Sequence, residues 1–414
     1  VTRAQRGRAL GLLWLLVGAV PGLDAADAAA RPGRFKLGPL SLTPRFELRN
    51  AGVDTNVFHS PSDPTPDTSV VSRLALDGSL DVGRRLRLTG NGYADLNYFR
   101  REGSERSLDY GGEGMAELSL GRLALFAGGG GMQAKQRFSI ELTQRVLRQE
   151  RWATAGLELA LTRRLSTRWH GSVRDHEFGS LLLGDEDIKQ RLDRRAISGA
   201  LEARYALTAK TTAVASAERI EDRFFRQSGD APRRTLSYRY LAGFELGERA
   251  LVKGRALAGL RRLPGGFGGE GAPGYTGPAL AVATGMRLGR FVRLDQLADR
   301  DVYYSAEGVR VQDLRLRSAY VYSRYRAELA LELPLDLEGS GFGEWQRARF
   351  LLPLRASDSF LRLDRVQTFG GSLLRRFGDG VKVGATLAWT RRLTNATGLA
   401  YEGLVYGLQA EIVP

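Results

Sequence analysis

The sequence predicts an all-β fold: a transmembrane, antiparallel, up-and-down β-barrel of about 18 strands. Three observations carry this. Segments of alternating apolar and polar residues follow one another almost to the last residue. The connections between them alternate between short and long. Outside the leader, no apolar run approaches the roughly 18–20 residues that a spanning helix requires. An apolar face opposite a polar face, repeated around a closed sheet, lets a sheet meet lipid outside and water inside.

The N-terminus reads as a secretory signal over residues 1–28. Arg3, Arg6 and Arg8 form its basic region, Ala9 to Val20 its apolar region, and Ala26-Asp27-Ala28 a small-x-small cleavage site. No cysteine follows it, which argues against a lipoprotein anchor. Residues 29–39 read as a short periplasmic segment, and 40–412 as one barrel domain.

The first strand, near 40–50, sets Leu40, Leu42, Phe46 and Leu48 on one face and Ser41, Thr43, Arg45, Glu47 and Arg49 on the other. The second, near 70–82, sets Leu74, Leu76, Leu80 and Val82 against Arg73, Asp77 and Asp81. The third, near 86–99, alternates strictly, with Leu86, Leu88, Ala94, Leu96 and Tyr98 facing out. Later strands are read near 108–120, 122–134, 150–162, 166–178, 194–207, 211–224, 234–247, 250–262, 276–288, 291–304, 319–335, 343–355, 362–376, 380–393 and 399–412. The alternation is weakest in 211–224, 291–304 and 362–376.

The connections sort by parity. Gly83–Arg85, Gly121, Thr208–Lys210, Glu248–Arg249, Gly289–Arg290 and Phe377–Asp379 are short and follow even strands. Ala51–Ser69, Lys135–Gln149, Gly179–Asp193, Phe225–Arg233, Leu263–Tyr275 and Ser305–Ser318 are longer and follow odd ones. Thr394–Gly398 follows an odd strand and is short. Outer-membrane barrels have short periplasmic turns and longer outer loops. At this strand number an aqueous channel is expected unless something plugs it, and Gly179–Asp193 or Lys135–Gln149 are the segments placed to fold inward.

Composition narrows the chemistry. The 414 residues are 43% hydrophobic with Gly 51 and no cysteine, which excludes a helical membrane protein, a disulfide framework and a thiolate site. The net charge is +15, which fits a basic lumen or basic loops near anionic headgroups; nucleic acid is a poor partner for an exported chain. His170 and His176 share a strand face, but Arg168 and Arg174 lie beside them and oppose a metal. Asp175 and Glu177 flank His176 on the opposite face, and there is no Gly-x-Ser-x-Gly elbow. No catalytic, cofactor-binding or metal residue is read, and the chain is not read as an enzyme. The acidic stretches 184–187 and 62–67 lack EF-hand spacing and read as solvated loops. The run Gly128–Gly131 precedes no helix, so it marks a close approach or a bend in a strand.

Alternation points Arg45, Arg73, Arg87, Arg168, Arg174, Arg204, Arg239, Lys253, Arg255, Arg324 and Arg326 into the lumen. Glu47, Asp77, Asp95, Glu113, Glu117, Glu202, Glu245 and Glu328 point the same way. Such a wall is either a structural network of cross-strand pairs or a basic lining that prefers anions. Outward Trp169, Tyr205, Tyr238, Tyr240, Trp389 and Tyr401 suit the aromatic girdles.

Three stretches resemble the type 2 family of β-barrel porins of Gram-negative bacteria. They are Phe46–Phe58, with Asp54 and Asn56; Arg362-Leu363-Asp364-Arg365; and Thr390–Asn395, with Arg391 and Asn395, followed by Tyr401. The resemblance implies an integral outer-membrane barrel that exports a polysaccharide together with a periplasmic polysaccharide-export protein. The ending Glu411-Ile412-Val413-Pro414 departs from the terminal aromatic common in such barrels. The reading is therefore an outer-membrane channel for a hydrophilic, anionic polymer, with outer-membrane lipid around it. A general or anion-preferring diffusion porin is the second reading, with small anionic solutes as substrates. A non-conducting structural or adhesive barrel is the third.

Overall fold

The computed structural model describes residues 35–183, 186–226, 232–248, 250–269, 272–289, 291–311, 314–353 and 360–413. Residues 1–34, over which the sequence reading places the leader and the start of the periplasmic segment, and Pro414 lie outside these.

Among the described residues, eighteen strands form the wall. They are β1 Leu40–Asp54, β2 Asp67–Val82, β3 Leu86–Phe99, β4 Ser107–Leu120, β5 Leu123–Gln136 and β6 Val146–Ala160. Next come β7 Leu165–Phe178, β8 Arg194–Ala206, β9 Thr211–Phe224, β10 Arg234–Leu246, β11 Val252–Leu263 and β12 Tyr275–Leu288. The last six are β13 Val292–Val311, β14 Leu314–Leu333, β15 Leu337–Phe350, β16 Leu363–Phe377, β17 Val381–Thr394 and β18 Tyr401–Ile412. Each pairs antiparallel with its neighbour in sequence, and β1 closes on β18. Closure leaves every wall strand paired on both sides, which removes the open edges lipid cannot satisfy. The segment Phe35–Leu37 doubles back on the start of β1 where β18 has ended, extending the seam.

Alternation produces this wall as expected. Leu74, Leu96, Leu108, Leu260, Leu387 and Leu408 stand exposed on the outside, an apolar surface that is costly in water and at ease in lipid. Trp169, Tyr205 and Tyr240 are exposed among them. Tyr401 corrects the girdle: it lies opposite Arg392 on the inner face and stacks on His59, with ring centroids 4.3 Å apart. The run Gly128–Gly131 lies in β5, where a Cβ on Gly130 would come within 2.7 Å of the Trp152 ring. The missing side chains make room for that ring inside the barrel.

The parity of the connections holds at the end with short turns. Gly83, Gly121, Gly289 and Gly378 take left-handed φ there. One turn escapes the sequence reading: β14 and β15 are joined at once by Pro334-Leu335-Asp336, with Leu335 and Asp336 both at positive φ. With no glycine to mark it, the sequence places β15 near 343–355 rather than from Leu337. At the other end the connections are L1 (55–66), L2 (100–106), L3 (137–145), L4 (179–193), L5 (225–233), L6 (264–274), L8 (351–362) and L9 (395–400), with L7 the 312–313 tip between β13 and β14. L4 holds one helical turn, α1 Ile188–Leu192, capped by the Asp187 carboxylate, which accepts from the Lys189 N–H at 3.0 Å.

A second correction concerns 305–318. The sequence reads it as a loop, whereas β13 and β14 stay paired out to Val311 and Leu314, past a register shift between Tyr304 and Gly308. Cross-strand pairing therefore continues beyond the rim, where no alternation against lipid exists to announce it.

Candidate functional site

The loop end of the barrel is packed, and L3 is at its centre. Phe138, Ile140 and Leu142 alternate there with Ser139 and Glu141, an apolar pattern unusual for a solvated loop. L3 leaves β5 and reaches β13, which stands eight strands away in the ring. Glu141 is only 4% exposed. Its carboxylate accepts from the Ala306 N–H at 2.7 Å, from the Ser305 hydroxyl, and from the Ser139 hydroxyl at 2.9 Å. Arg191 of α1 donates to the Ala306 carbonyl at 3.2 Å and pairs with Glu186. Both backbone groups of Ala306 are thus held by inward-folded loops.

Apolar packing reinforces the polar latch. Leu142 is buried with Val146, Phe178, Ile188, Leu192 and Ala306, and Ile140 packs on the Tyr320–Phe350 cluster. β14 is enclosed on both faces over Arg317 to Val321, which are buried one after another, unlike any lipid-facing strand. The Arg317 N–H donates to the Gly268 carbonyl of L6 at 2.8 Å, and the Leu351 N–H of L8 donates to the Ala319 carbonyl at 2.9 Å. The Arg317 guanidinium lies 3.5 Å from the centre of the Phe224 ring.

A fully buried charge cluster sits beneath L3. Asp364 pairs with Arg362 and with Arg392, each at 2.8 Å, and all three are 0% exposed. Arg392 also reaches the Glu141 carbonyl at 3.4 Å, joining this cluster to the plug. Asn395 holds the neighbouring chain, accepting from the Leu363 N–H at 2.8 Å and donating to the Leu361 carbonyl at 3.0 Å. Asn56 does the same for L1, donating to the carbonyls of Ser60 and Glu402 and accepting from the Ser60 N–H. The Asp54 carboxylate accepts from the Asn56 N–H at 2.9 Å. Five of the six motif residues therefore organise the loop end. Arg391 lies on the outer face and is exposed; the buried partner of Asp364 is its neighbour Arg392.

Burial also sets the protonation of L1 and L3. His59 is pushed down to about 3, first by burial and then by the nearby Arg137 and Arg392 cations, so its ring is neutral. Burial lowers Arg137 as well. Asp193, at the end of L4, is pushed up by burial while accepting the Phe178 N–H at 2.7 Å. The acidic stretches serve as caps: Asp187 holds α1, and Asp67 accepts the N–H groups of Arg101 and Glu102 at 2.9 Å each, tying β2 to L2. Gly184 and Asp185 lie outside the described residues.

Below the plug the inner wall is a ladder of ion pairs. Arg73 pairs with Asp95 at 2.5 Å, Arg45 with Asp77 at 3.3 Å, and Arg239 with Glu218 at 2.6 Å and Asp301 at 3.2 Å. Arg204 pairs with Glu245, Arg255 with Glu202, and Arg324 and Arg326 with Glu344. Arg174 lies 3.8 Å from Glu150, and the exposed Arg87 3.1 Å from Asp81 near the turn end. Arg168 lies over the Phe126 ring, and Lys253 is exposed at the turn end of β11. His176 binds the Glu150 carboxylate at 2.5 Å beside Arg148 and is apart from His170, which shares its face. The wall is polar, and its cations are largely matched by carboxylates on neighbouring strands.

The sequence does not single out Glu141 or Ser305, and within 390–395 it points to Arg391 rather than the buried Arg392. The alternation of apolar residues across 138–142 was the available signal for the first.

No protein-family model matches this chain, and no curated protein does. Among solved structures it is similar to a mutant of the ferric enterobactin receptor from Pseudomonas aeruginosa, at 10% identity over 90% of this chain and 81% of that one, with a TM-score of 0.43. It is similar to the siderophore receptor PirA from Acinetobacter baumannii, at 10% identity over 87% of this chain and a TM-score of 0.41, and spans 66% of that receptor's length. A bacterial polysaccharide outer membrane secretin is similar at 10% identity, over 92% of this chain and all of that one, with a TM-score of 0.34. These are likenesses of barrel architecture.

Proposed function

We propose that this protein is an integral outer-membrane channel that exports a hydrophilic polymer and whose outer mouth stays shut until a partner opens it. The observation that carries this is the plug: L3 crosses to β13 and is fastened there through Glu141. A diffusion porin needs a standing aperture, and a mouth packed by L3, L4 and the β13–β14 hairpin opposes one. The ion-paired inner wall suits a hydrated, charged chain sliding past, since paired charges give many weak sites and no deep one. In this reading the polymer is an anionic polysaccharide, and the loop end faces outward. The turn end meets a periplasmic polysaccharide-export protein. The resemblance to type 2 β-barrel porins belongs to the same proposal, as do cleavage of the leader and a Gram-negative source.

The test is a clean deletion in the source bacterium, scored for extracellular polysaccharide, beside planar-bilayer recordings of the purified barrel. Loss of polymer together with a barrel that rarely opens supports a partner-opened exporter. Unchanged polymer with a large steady current supports the diffusion porin instead. Unchanged polymer with a silent barrel leaves the structural role.

A further inference from the structure

We propose that the outer wall carries a built site for one phosphorylated, acylated glycolipid of the surrounding leaflet, headed by arginines on β8–β10. This rests on membrane placement of the barrel and is independent of what the lumen carries.

The strand register places like charges face to face. Arg195 lies directly opposite Arg223, and Arg223 directly opposite Arg234. The same row continues through Asp175 to Arg151. Two residues nearer the turn end comes Glu221, and two further on a row with Arg219, Tyr238 and Arg262. All these residues are on the outward face, and Arg195, Arg219, Arg223 and Arg234 keep 48–61% of their side chains exposed. Like charges directly opposite each other destabilise a sheet. Glu221 gathers Arg219, Arg223 and Arg234 around one carboxylate, and Asp175 pairs with Arg195. On this patch Arg151, Arg195, Arg219, Arg223, Arg234 and Arg262 outnumber Asp175, Glu177 and Glu221, so a net positive cradle remains. Its free guanidinium edges suit a phosphate, which accepts the paired N–H donors of an arginine fork.

The height of the cradle fits a headgroup. Arg195 is ten positions from Tyr205 along β8, and Arg234 ten from Phe244 along β10; Tyr205 and Phe244 share one outward row at the turn end. Ten residues are roughly 33 Å of strand, or about 25 Å of height at a tilt near 40°, which is the thickness of a barrel's apolar band. Arg195, Arg223 and Arg234 therefore stand where that band ends and phosphates begin, with Arg219 four residues lower on β9.

Beneath them the wall is hollow. A groove of about 550 Å³ is floored by Ala155, Gly171, Gly199 and Ala217 and flanked by Trp169 and Tyr240, with Arg219 at its upper end. The glycines are not required by the backbone: a Cβ on Gly199 would meet nothing within 4 Å. Their absent side chains instead open a slot, the size of a small-molecule pocket, on a face that meets hydrocarbon. A slot for an acyl chain below and cations for a phosphate above match one amphipathic molecule.

The test uses the full barrel, purified in detergent and shown folded by its heat-modifiable mobility, with bisphosphorylated lipid A as the probe in native mass spectrometry. One lipid per chain is expected. Arg223→Glu with Arg234→Glu weakens binding about tenfold or more, the loss of a charge-assisted contact. Ala217→Phe, which fills the slot and leaves the arginines, also weakens it; Arg84→Glu with Arg85→Glu, at the opposite end, leaves it unchanged. Equal binding by all variants overturns the site. So does full displacement by inorganic phosphate, which would make it a free-anion site, and so does a lipid-free dimer that Ala217→Phe splits, which would make the face a contact between copies.

Discussion

Replacing Glu141 with alanine tests the plug most directly. In the folded protein its carboxylate holds Ser305 and Ala306 across the lumen, and it is nearly inaccessible to solvent. Two hydrogen bonds to a carboxylate contribute about 1.5–3 kcal/mol each, so the substitution removes about 3–6 kcal/mol from the closed mouth and leaves a buried N–H without its acceptor. At about 1.4 kcal/mol per decade, the ratio of open to closed channels rises roughly 10²- to 10⁴-fold. The apolar contacts of Leu142 and Ile140 remain, so opening becomes frequent rather than permanent. Planar-bilayer recording of single channels reads this as the fraction of time spent conducting. Glu141→Gln, which keeps one acceptor, falls between the two. A folded Glu141→Ala barrel as silent as the parent would refute the latch, and a steadily conducting parent would refute the closed mouth itself.

Acid opens the same region: the folded His59 sits near 3 against about 6.5 unfolded, so its contribution is complete above pH about 6.5 and is lost progressively as pH falls toward 3. Protonation there adds a cation beside Arg137 and Arg392 under the Tyr401 ring; opening should rise with falling pH, and a pH profile of His59→Phe identical to the parent's would count against this. Asp364→Asn leaves two buried guanidiniums short of their counter-charge, a loss of about 3–5 kcal/mol, read as a lower midpoint of heat-modifiable mobility; an unchanged midpoint would show that the cluster is not structural. Arg87→Glu, placed in an opened Glu141→Ala barrel, should shift selectivity toward cations, measured by reversal potential, because Arg87 is exposed to the lumen near the turn end. Arg239→Glu should instead weaken the wall, since it sets a third carboxylate beside Glu218 and Asp301, and a variant of parental stability would contradict that.

The sequence alone determined the wall. A period of two decides which side chains meet lipid, and closure follows because an open edge is intolerable there. Strand number, the parity of the connections and the inward face of Arg45, Arg73 or Arg239 all follow from that rule. Where lipid stops imposing alternation, the signal faded. The strand ends past Tyr304 looked like a loop because Ser305, Ala306 and Arg317 to Val321 are buried by other loops rather than set against lipid, and Tyr401 looked outward because an aromatic near a strand end fits a girdle. The sequence marks 135–149 as a segment placed to fold inward, but only the tertiary structure set it against β13, whose contacts lie 164 and 165 positions away. The same holds for Arg195, Arg223 and Arg234, which are unremarkable one by one and become a cradle only when register sets them in a row. One-residue slips would scatter them, so the charge pattern of the outer wall belongs to the pairing of the strands and not to any strand by itself.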